Sequence, residues 1–210
     1  MYLSNFQEYL ENFVQDKEVL DVGFAGDKDV SMDSPYWVHK LIRENAKYVL
    51  GMDYDRNAVQ KLKALGYNCI YGNAQNFNLN RKFDVIFAGE LIEHLENPGL
   101  FLECAKRHLK KGGLLIITTP NQFSFVRFIG NFFGILNENK EHVSVHNEKT
   151  LLHLLERKGF LVNDVSYFTN ESFYNIGRLS IMRKLMKIPI QILERLRPKL
   201  SHQLLVIASV

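Results

Sequence analysis

The 210-residue sequence has only two cysteines, Cys69 and Cys104, in dissimilar settings with no metal-ligand spacing. That excludes a disulfide scaffold and a zinc ribbon, and the expectation is two free thiols in a reducing compartment. No apolar run approaches the roughly 20 residues of a membrane span. The first residues, MYLSNFQEYLENF, lack a basic segment followed by a long apolar core, so no signal peptide is expected and the reading is cytoplasmic. Charge of one sign is also lacking. Lys and Arg number 26 against 23 Asp and Glu, a net +3, too mild for a dedicated nucleic-acid binder. There is no internal repeat and no low-complexity linker. What is present is ordinary globular composition, 46% hydrophobic and 23% charged, enough for one domain over residues 1–210 with a full core.

Short, nearly continuous apolar runs alternate with helical patterns. Glu18–Gly23, Tyr48–Asp53, Asn68–Tyr71, Phe83–Ala88 and Leu114–Thr118 read as buried parallel strands. Pro35–Ala46, Arg56–Leu65 and Pro98–Leu109 read as the helices between them. Residues 1–17 carry an N-terminal helix. After Pro120 a segment with five phenylalanines (residues 121–146) shows no clear strand. Asn147 then caps a helix Glu148–Lys158, and Phe160–Phe168 and Gln203–Ser209 are further strands. The βαβ alternation specifies an α/β fold, a mostly parallel sheet with helices on both faces.

In such sheets ligands bind beyond the carboxyl ends of the strands. The first strand ends in a turn at Gly23, after Asp21 and before Phe24, and the second ends at Asp53-Tyr54. A carboxylate in Asp53's position accepts hydrogen bonds from both ribose hydroxyls of an adenosine, unless it merely caps a helix or turn. After the third strand, Asn73 and the Ala74 amide are placed to meet an adenine edge. Fourth-strand Gly89 opens AGELIEHLENP, where Glu90, Glu93 and His94 follow at i, i+3 and i+4. As a helical turn, that spacing puts all three side chains on one face. The set then serves as a general base with His94 foremost, or as a divalent-metal site completed by His142 or His146. Otherwise the two glutamates cap a helix end and His94 packs locally.

Together VLDVGFAG, VLGMDYD, GNAQNF, FDVIFAGELIEHLENP, LKKGGLLIITTPN and HVSVHNEKTLLHLLERKGF resemble a class I S-adenosylmethionine-dependent methyltransferase, from about Val19 to the end of the chain. The ExxEH run is similar to metal-using subfamilies, the ubiquinone-type O-methyltransferases and the small-RNA 3′-terminal 2′-O-methyltransferases. The resemblance implies a Rossmann-like seven-stranded sheet whose last strand is antiparallel and inserted between strands five and six. It also implies S-adenosylmethionine as cofactor, and a divalent metal is the open addition. The cofactor-binding set is then Asp21, Gly23, Phe24, Asp53, Tyr54, Asn73, Ala74 and Gly89. The catalytic set is His94, Glu93 and His142, and any metal is held by Glu90, Glu93, His94 and His142. The acceptor is a small molecule or glycan.

The departure lies in the first loop. The family shows an acid and then three alternate glycines; here Ala25 and Asp27 replace the second and third. Alanine tolerates positive φ poorly, so the loop takes a different path, with Lys28 or His39 as candidates to meet the cofactor's carboxylate. A dinucleotide oxidoreductase and a cofactor-binding module without catalysis are the rival readings. The Phe-rich segment is either the acceptor pocket's wall or core for a covering helix. The insert at residues 170–200 carries seven cations between Arg178 and Lys199 against the single acid Glu194. Leu179, Met182, Leu185 and Met186 form its apolar stripe, interrupted by Pro189. It is expected to pack over the sheet, with weak contact to a membrane surface or a second copy as the alternatives.

Overall fold

A computed structural model describes residues 1–26, 34, 36–134, 139–175 and 180–210, without the side chains of 175 and 180–183. Asp27, Lys28, Pro35, Arg178 and Leu179, and the side chains of Met182 and Arg183, therefore lie outside the described residues. In chain order the elements are α1 (Phe6–Val14), β1 (Glu18–Val22), α2 (Val38–Asn45), β2 (Tyr48–Asp53), α3 (Arg56–Ala64), β3 (Cys69–Tyr71) and β4 (Phe83–Gly89). There follow a 3-10 turn at Ile92–His94, α4 (Pro98–His108), β5 (Leu109–Pro120), α5 (Phe125–Phe132), α6 (Glu148–Arg157) and β6 (Leu161–Phe168). Then come α7 (Glu171–Asn175), α8 (Ser180–Leu196), a second 3-10 turn at Pro198–Leu200 and β7 (Gln203–Ser209).

Among the described residues the strands form one seven-stranded sheet of order β3-β2-β1-β4-β5-β7-β6. β7 runs antiparallel to both β5 and β6, and the remaining pairs are parallel, as the resemblance implied. Neighbouring side chains along each strand point to opposite faces, and both faces are covered. Val19, Val85 and Ile116 pack with Phe6, Leu10 and Val14 of α1 and Ile42 of α2. Leu20, Ile86, Leu115 and Ile117 pack with Phe101 and Leu102 of α4 and Leu151 and Leu155 of α6. Helix starts follow their side chains. The Asp55 carboxylate accepts the Asn57 and Ala58 N–H groups, Asn97 accepts Leu100 N–H, and Asn147 with Thr150 forms a reciprocal capping box. Both cysteines are free and buried.

After β5 one open alternative is removed and one expected face is revised. No residue of α5 is buried, and Phe128 and Phe132 on it, with Phe123 before and Phe133 after, are all exposed. The Phe-rich segment is therefore not core beneath a covering helix. α8 runs on through Pro189. Leu185 and Met186 of its expected packing stripe face outward, and Ile190 and Glu194 turn inward instead. Counting apolar residues located the helix but not its buried face, where Thr169, just after β6, meets Glu194. The Thr169 hydroxyl donates to Glu194 Oε1 at 2.6 Å, while Oε2 has no partner.

Burial pushes Glu194 up to about 7, with the Thr169 hydrogen bond pulling the other way. A carboxyl raised by folding favours the folded state while protonated. Its contribution is full below the ordinary value of 4.5 and is lost as pH rises through about 7. A shift of this size corresponds to on the order of 3 kcal/mol. Urea unfolding should therefore show stability falling between about pH 5 and pH 8, and Glu194→Gln should flatten that slope. An equal slope in the variant contradicts the assignment.

Candidate active site

The carboxyl ends of β1, β2, β4 and β5 share one edge of the sheet, and the predicted residues divide along it. On the β1–β2 side, Gly23 has φ 81° and donates its N–H to Met52 O at 2.8 Å, which ties the first loop to β2. A Cβ at Gly23 would meet Leu91 Cδ1 at 3.1 Å. The next positive φ falls on Gly26, at 72°, and not on Ala25. The glycine requirement has moved along by one residue, which is how the loop accommodates alanine. Ala25 N–H donates to Asp53 Oδ2 at 3.0 Å and Asp55 N–H to Oδ1 at 2.9 Å. The Asp53 carboxylate is thus fixed at the strand end, and each oxygen keeps a second lone pair for a ligand. Burial raises its pKa, opposed by those backbone hydrogen bonds.

The other members of the predicted cofactor set divide between buried and exposed positions. Asp21 is buried and bonds His39 Nδ1 at 2.7 Å through Oδ2. His39 is itself buried, between the rings of Phe24, Trp37 and Tyr67, so it stands beneath the loop and does not reach out from it. Phe24 is core: its carbonyl accepts the Trp37 Nε1–H at 2.7 Å, and its ring fills the space a Cβ on Gly51 would need. Tyr54 is exposed beside Tyr71, over whose ring the Arg56 guanidinium lies at 3.9 Å. Asn73 is exposed with Oδ1 accepting Gln75 N–H, and Ala74 is buried. At Gly89 a Cβ would fall 2.7 Å from the Phe87 ring.

On the β4–β5 side the ExxEH run is not one helical turn. Glu90 has φ 50°, a left-handed conformation that is costly for a residue with a Cβ, and only Ile92–His94 form a 3-10 turn. The spacing argument for one shared helix face therefore fails at Glu90. Its N–H donates to Thr118 O at 2.9 Å, and its Oε2 accepts from Gln203 Nε2 at 2.9 Å. Neither glutamate caps a helix. Glu93 is buried; Thr119 donates to its Oε2 at 2.9 Å, and its Oε1 has no hydrogen-bond partner.

The run 142–146 returns over this point. Val143 and Ser144 N–H groups donate to the Glu93 carbonyl, and His94 Nδ1 lies 3.2 Å from Glu141 O. A carbonyl accepts only, so in this contact His94 Nδ1 is the donor. The His94 and His142 rings meet edge to face, with centroids 4.8 Å apart. One ligand atom from each of Glu93, His94 and His142 lies within 4.8 Å of the others. His146 is buried, with Nε2 3.1 Å from Ser144 Oγ, and does not join that group. Burial raises the Glu93 pKa and the Glu90 charge raises it further; Glu90 is raised chiefly by the protein around it, although its side chain is open to solvent. This combination marks a carboxylate lining a cleft.

Sequence reasoning missed Gln203 and the backbone of 141–144. Gln203 had a signal, a polar residue opening the otherwise apolar strand QLLVIA. The backbone contacts had none. A larger opening, lined by Asn97, Lys149, His153 and Arg157 between α4 and α6, contains none of the strand-end residues.

Residues 2–165 match a family model described as a methyltransferase domain. A protein of Mycolicibacterium smegmatis named "Probable S-adenosylmethionine-dependent methyltransferase" is 32% identical over 127 residues, 59% of this chain and 48% of its own length. The mitochondrial ubiquinone biosynthesis O-methyltransferase of Dictyostelium discoideum is 28% identical over 123 residues, 50% of this chain and 38% of its own. The chain thus spans about half or less of these relatives. A crystal structure of a SAM-dependent methyltransferase from Archaeoglobus fulgidus superposes with TM-score 0.65 at 18% identity, covering 97% of this chain and 90% of that one. One from Mesorhizobium loti gives 0.62 at 17%, covering 97% and 95%. The family match sets aside the dinucleotide oxidoreductase alternative.

The left-handed backbone at Glu90 is held against its own preference, and its carboxylate crowds Glu93. Glu90→Gly should raise stability by about 1 kcal/mol, read as a higher urea midpoint. An unchanged or lower midpoint contradicts strain at this position.

Proposed function

The chain belongs to the methyltransferase-domain family, and on that premise we propose that it moves the methyl group of S-adenosylmethionine to a hydroxyl oxygen of a small-molecule or glycan acceptor. Asp53 accepts the ribose hydroxyls, the Gly23 turn gives the cofactor close access to the loop backbone, and Asn73 with Ala74 flanks the adenine. The sulfonium makes the methyl electrophilic, so the chain's own work is to align the acceptor oxygen in line and to take up its proton. As the new C–O bond forms, the S–CH3 bond breaks and its electron pair stays on sulfur as a thioether.

The observation that carries the O-methylation reading is the group Glu93, His94 and His142 at the β4–β5 end of the same edge. Its donor set suits a divalent cation. Glu93 offers an oxygen with no other partner, and the Glu141 carbonyl leaves His94 Nε2 as a ligand atom, the outer-sphere arrangement common at histidine metal sites. Glu90, bonded to Gln203, lies beside this group. Glu93, His94 and His142 would hold such an ion, whose positive charge would make the acceptor hydroxyl easier to deprotonate. In its absence His94 Nε2 is the proton acceptor. Ubiquinone biosynthesis O-methyltransferases among the relatives support an oxygen acceptor.

Titration calorimetry should find S-adenosylmethionine bound by the wild-type chain and weakened in Asp53→Ala by about 1.5–3 kcal/mol. Unchanged affinity removes the ribose assignment. The choice between ion and base rests on activity. Loss with EDTA and recovery with magnesium, manganese or zinc identifies the ion. Indifference to EDTA with loss in His94→Ala identifies the base. Activity indifferent to both excludes the cluster from the reaction.

A further inference from the structure

The most exposed large apolar side chain among the described residues, Leu185, is on α8. Leu185, Ile188, Ile192 and Leu196 are 78%, 69%, 56% and 69% exposed. At 3.6 residues per turn these four positions fall within an arc of about 80°. The inward residues Ile190 and Glu194 lie on the opposite side of the helix. Lys184 and Arg195, both exposed, flank the apolar arc on one side, and Arg197 follows the helix end, while Lys199 beyond it pairs with Glu148. Lys187 belongs to the inner side, where it pairs with Glu171 at 2.8 Å and lies over the Tyr174 ring. The sole acid between residues 184 and 199 is the buried Glu194, so the outward surface carries positive charge alone.

We propose that this face of α8 docks on an anionic lipid bilayer. Leu185, Ile188, Ile192 and Leu196 enter the boundary between headgroups and acyl chains, and Lys184, Arg195 and Arg197 meet lipid phosphates. A narrow apolar arc bordered by cations is the pattern of a helix lying in the interface plane. The charge fits only an anionic surface. A second copy of the same face would bring like charges together. None of the described helices is long and apolar enough to cross a membrane, so the contact is peripheral.

The docked face also lies close to the site. Asn121, the residue after β5, donates through Nδ2 to Lys199 O and Ser201 O, and Gln203 follows two residues later to hold Glu90.

The test is co-sedimentation of the full chain with vesicles of phosphatidylcholine alone and of equal parts phosphatidylcholine and phosphatidylglycerol, at low and high salt. The expected result is binding to the mixed vesicles only, reduced by high salt. Lys184→Glu/Arg195→Glu should weaken it by about tenfold or more. Leu185→Ser/Ile192→Ser should weaken it comparably at low salt. These side chains are exposed, so both variants should keep the wild-type circular dichroism spectrum and thermal midpoint. Equal sedimentation with both vesicle types, no sedimentation with either, or undiminished binding by both variants overturns the proposal. A concentration-dependent dimer in light scattering that Leu185→Ser/Ile192→Ser abolishes would overturn it in favour of self-association.

Discussion

Parallel pairing of β4 with β5, in register from Val85↔Leu114 to Gly89↔Thr118, fixes where every reactive side chain stands. Parallel strands present all their carboxyl ends on one edge, so the chain leaving β4 and the chain leaving β5 emerge side by side. Thr118 then receives the Glu90 amide, and Thr119 reaches the Glu93 carboxylate. β7 extends the same logic from the other side. Its antiparallel register sets Gln203 opposite Pro120, within reach of Glu90. A slip of one residue in either ladder would turn these groups to the opposite face.

Within that frame the site holds a conflict. Two carboxylates stand close together, one of them buried with an oxygen that has no donor. A folded chain keeps such a group only where something else meets it: a proton, a cation or a substrate donor. The left-handed backbone at Glu90 belongs to the same conflict, since it is what keeps that side chain at the strand end and out of a continuing helix. Cofactor side and chemical side are built differently. Around Gly23 and Asp53 the groups facing a ligand are held by the loop's own amides, while around Glu93 they are held by chain returning from residues 141–144.

The fold was largely legible because its strands are short apolar runs ended by turn residues. β2 and β7 stand at the predicted limits, whereas β5 begins five residues early, at Leu109, which pairs with Phe83 ahead of an irregularity at residues 110–113 before the ladder resumes at Val85↔Leu114. The site was legible as residue types at strand ends and less so as geometry. Asp21 looked like a ligand group, but its partner His39 lies 18 residues away and nothing local announces the pair. Glu90, Glu93 and His94 do gather near one place, but through a kinked backbone that their spacing does not encode. The face of α5 stayed open between two readings and the outward stripe of α8 was not foreseen, for a common reason. Periodicity identifies an apolar stripe, and only the tertiary structure says whether anything covers it.

The account stands or falls on where cofactor and ion sit together. A crystal of the chain grown with S-adenosylhomocysteine and manganese, measured at a wavelength where manganese scatters anomalously, locates both. The account predicts the ribose on Asp53, the homocysteine sulfur facing the β4–β5 end of the sheet, and an anomalous peak bonded to Glu93, His94 and His142. A cofactor seated away from Asp53, or a manganese peak elsewhere with these three side chains bare, would contradict it.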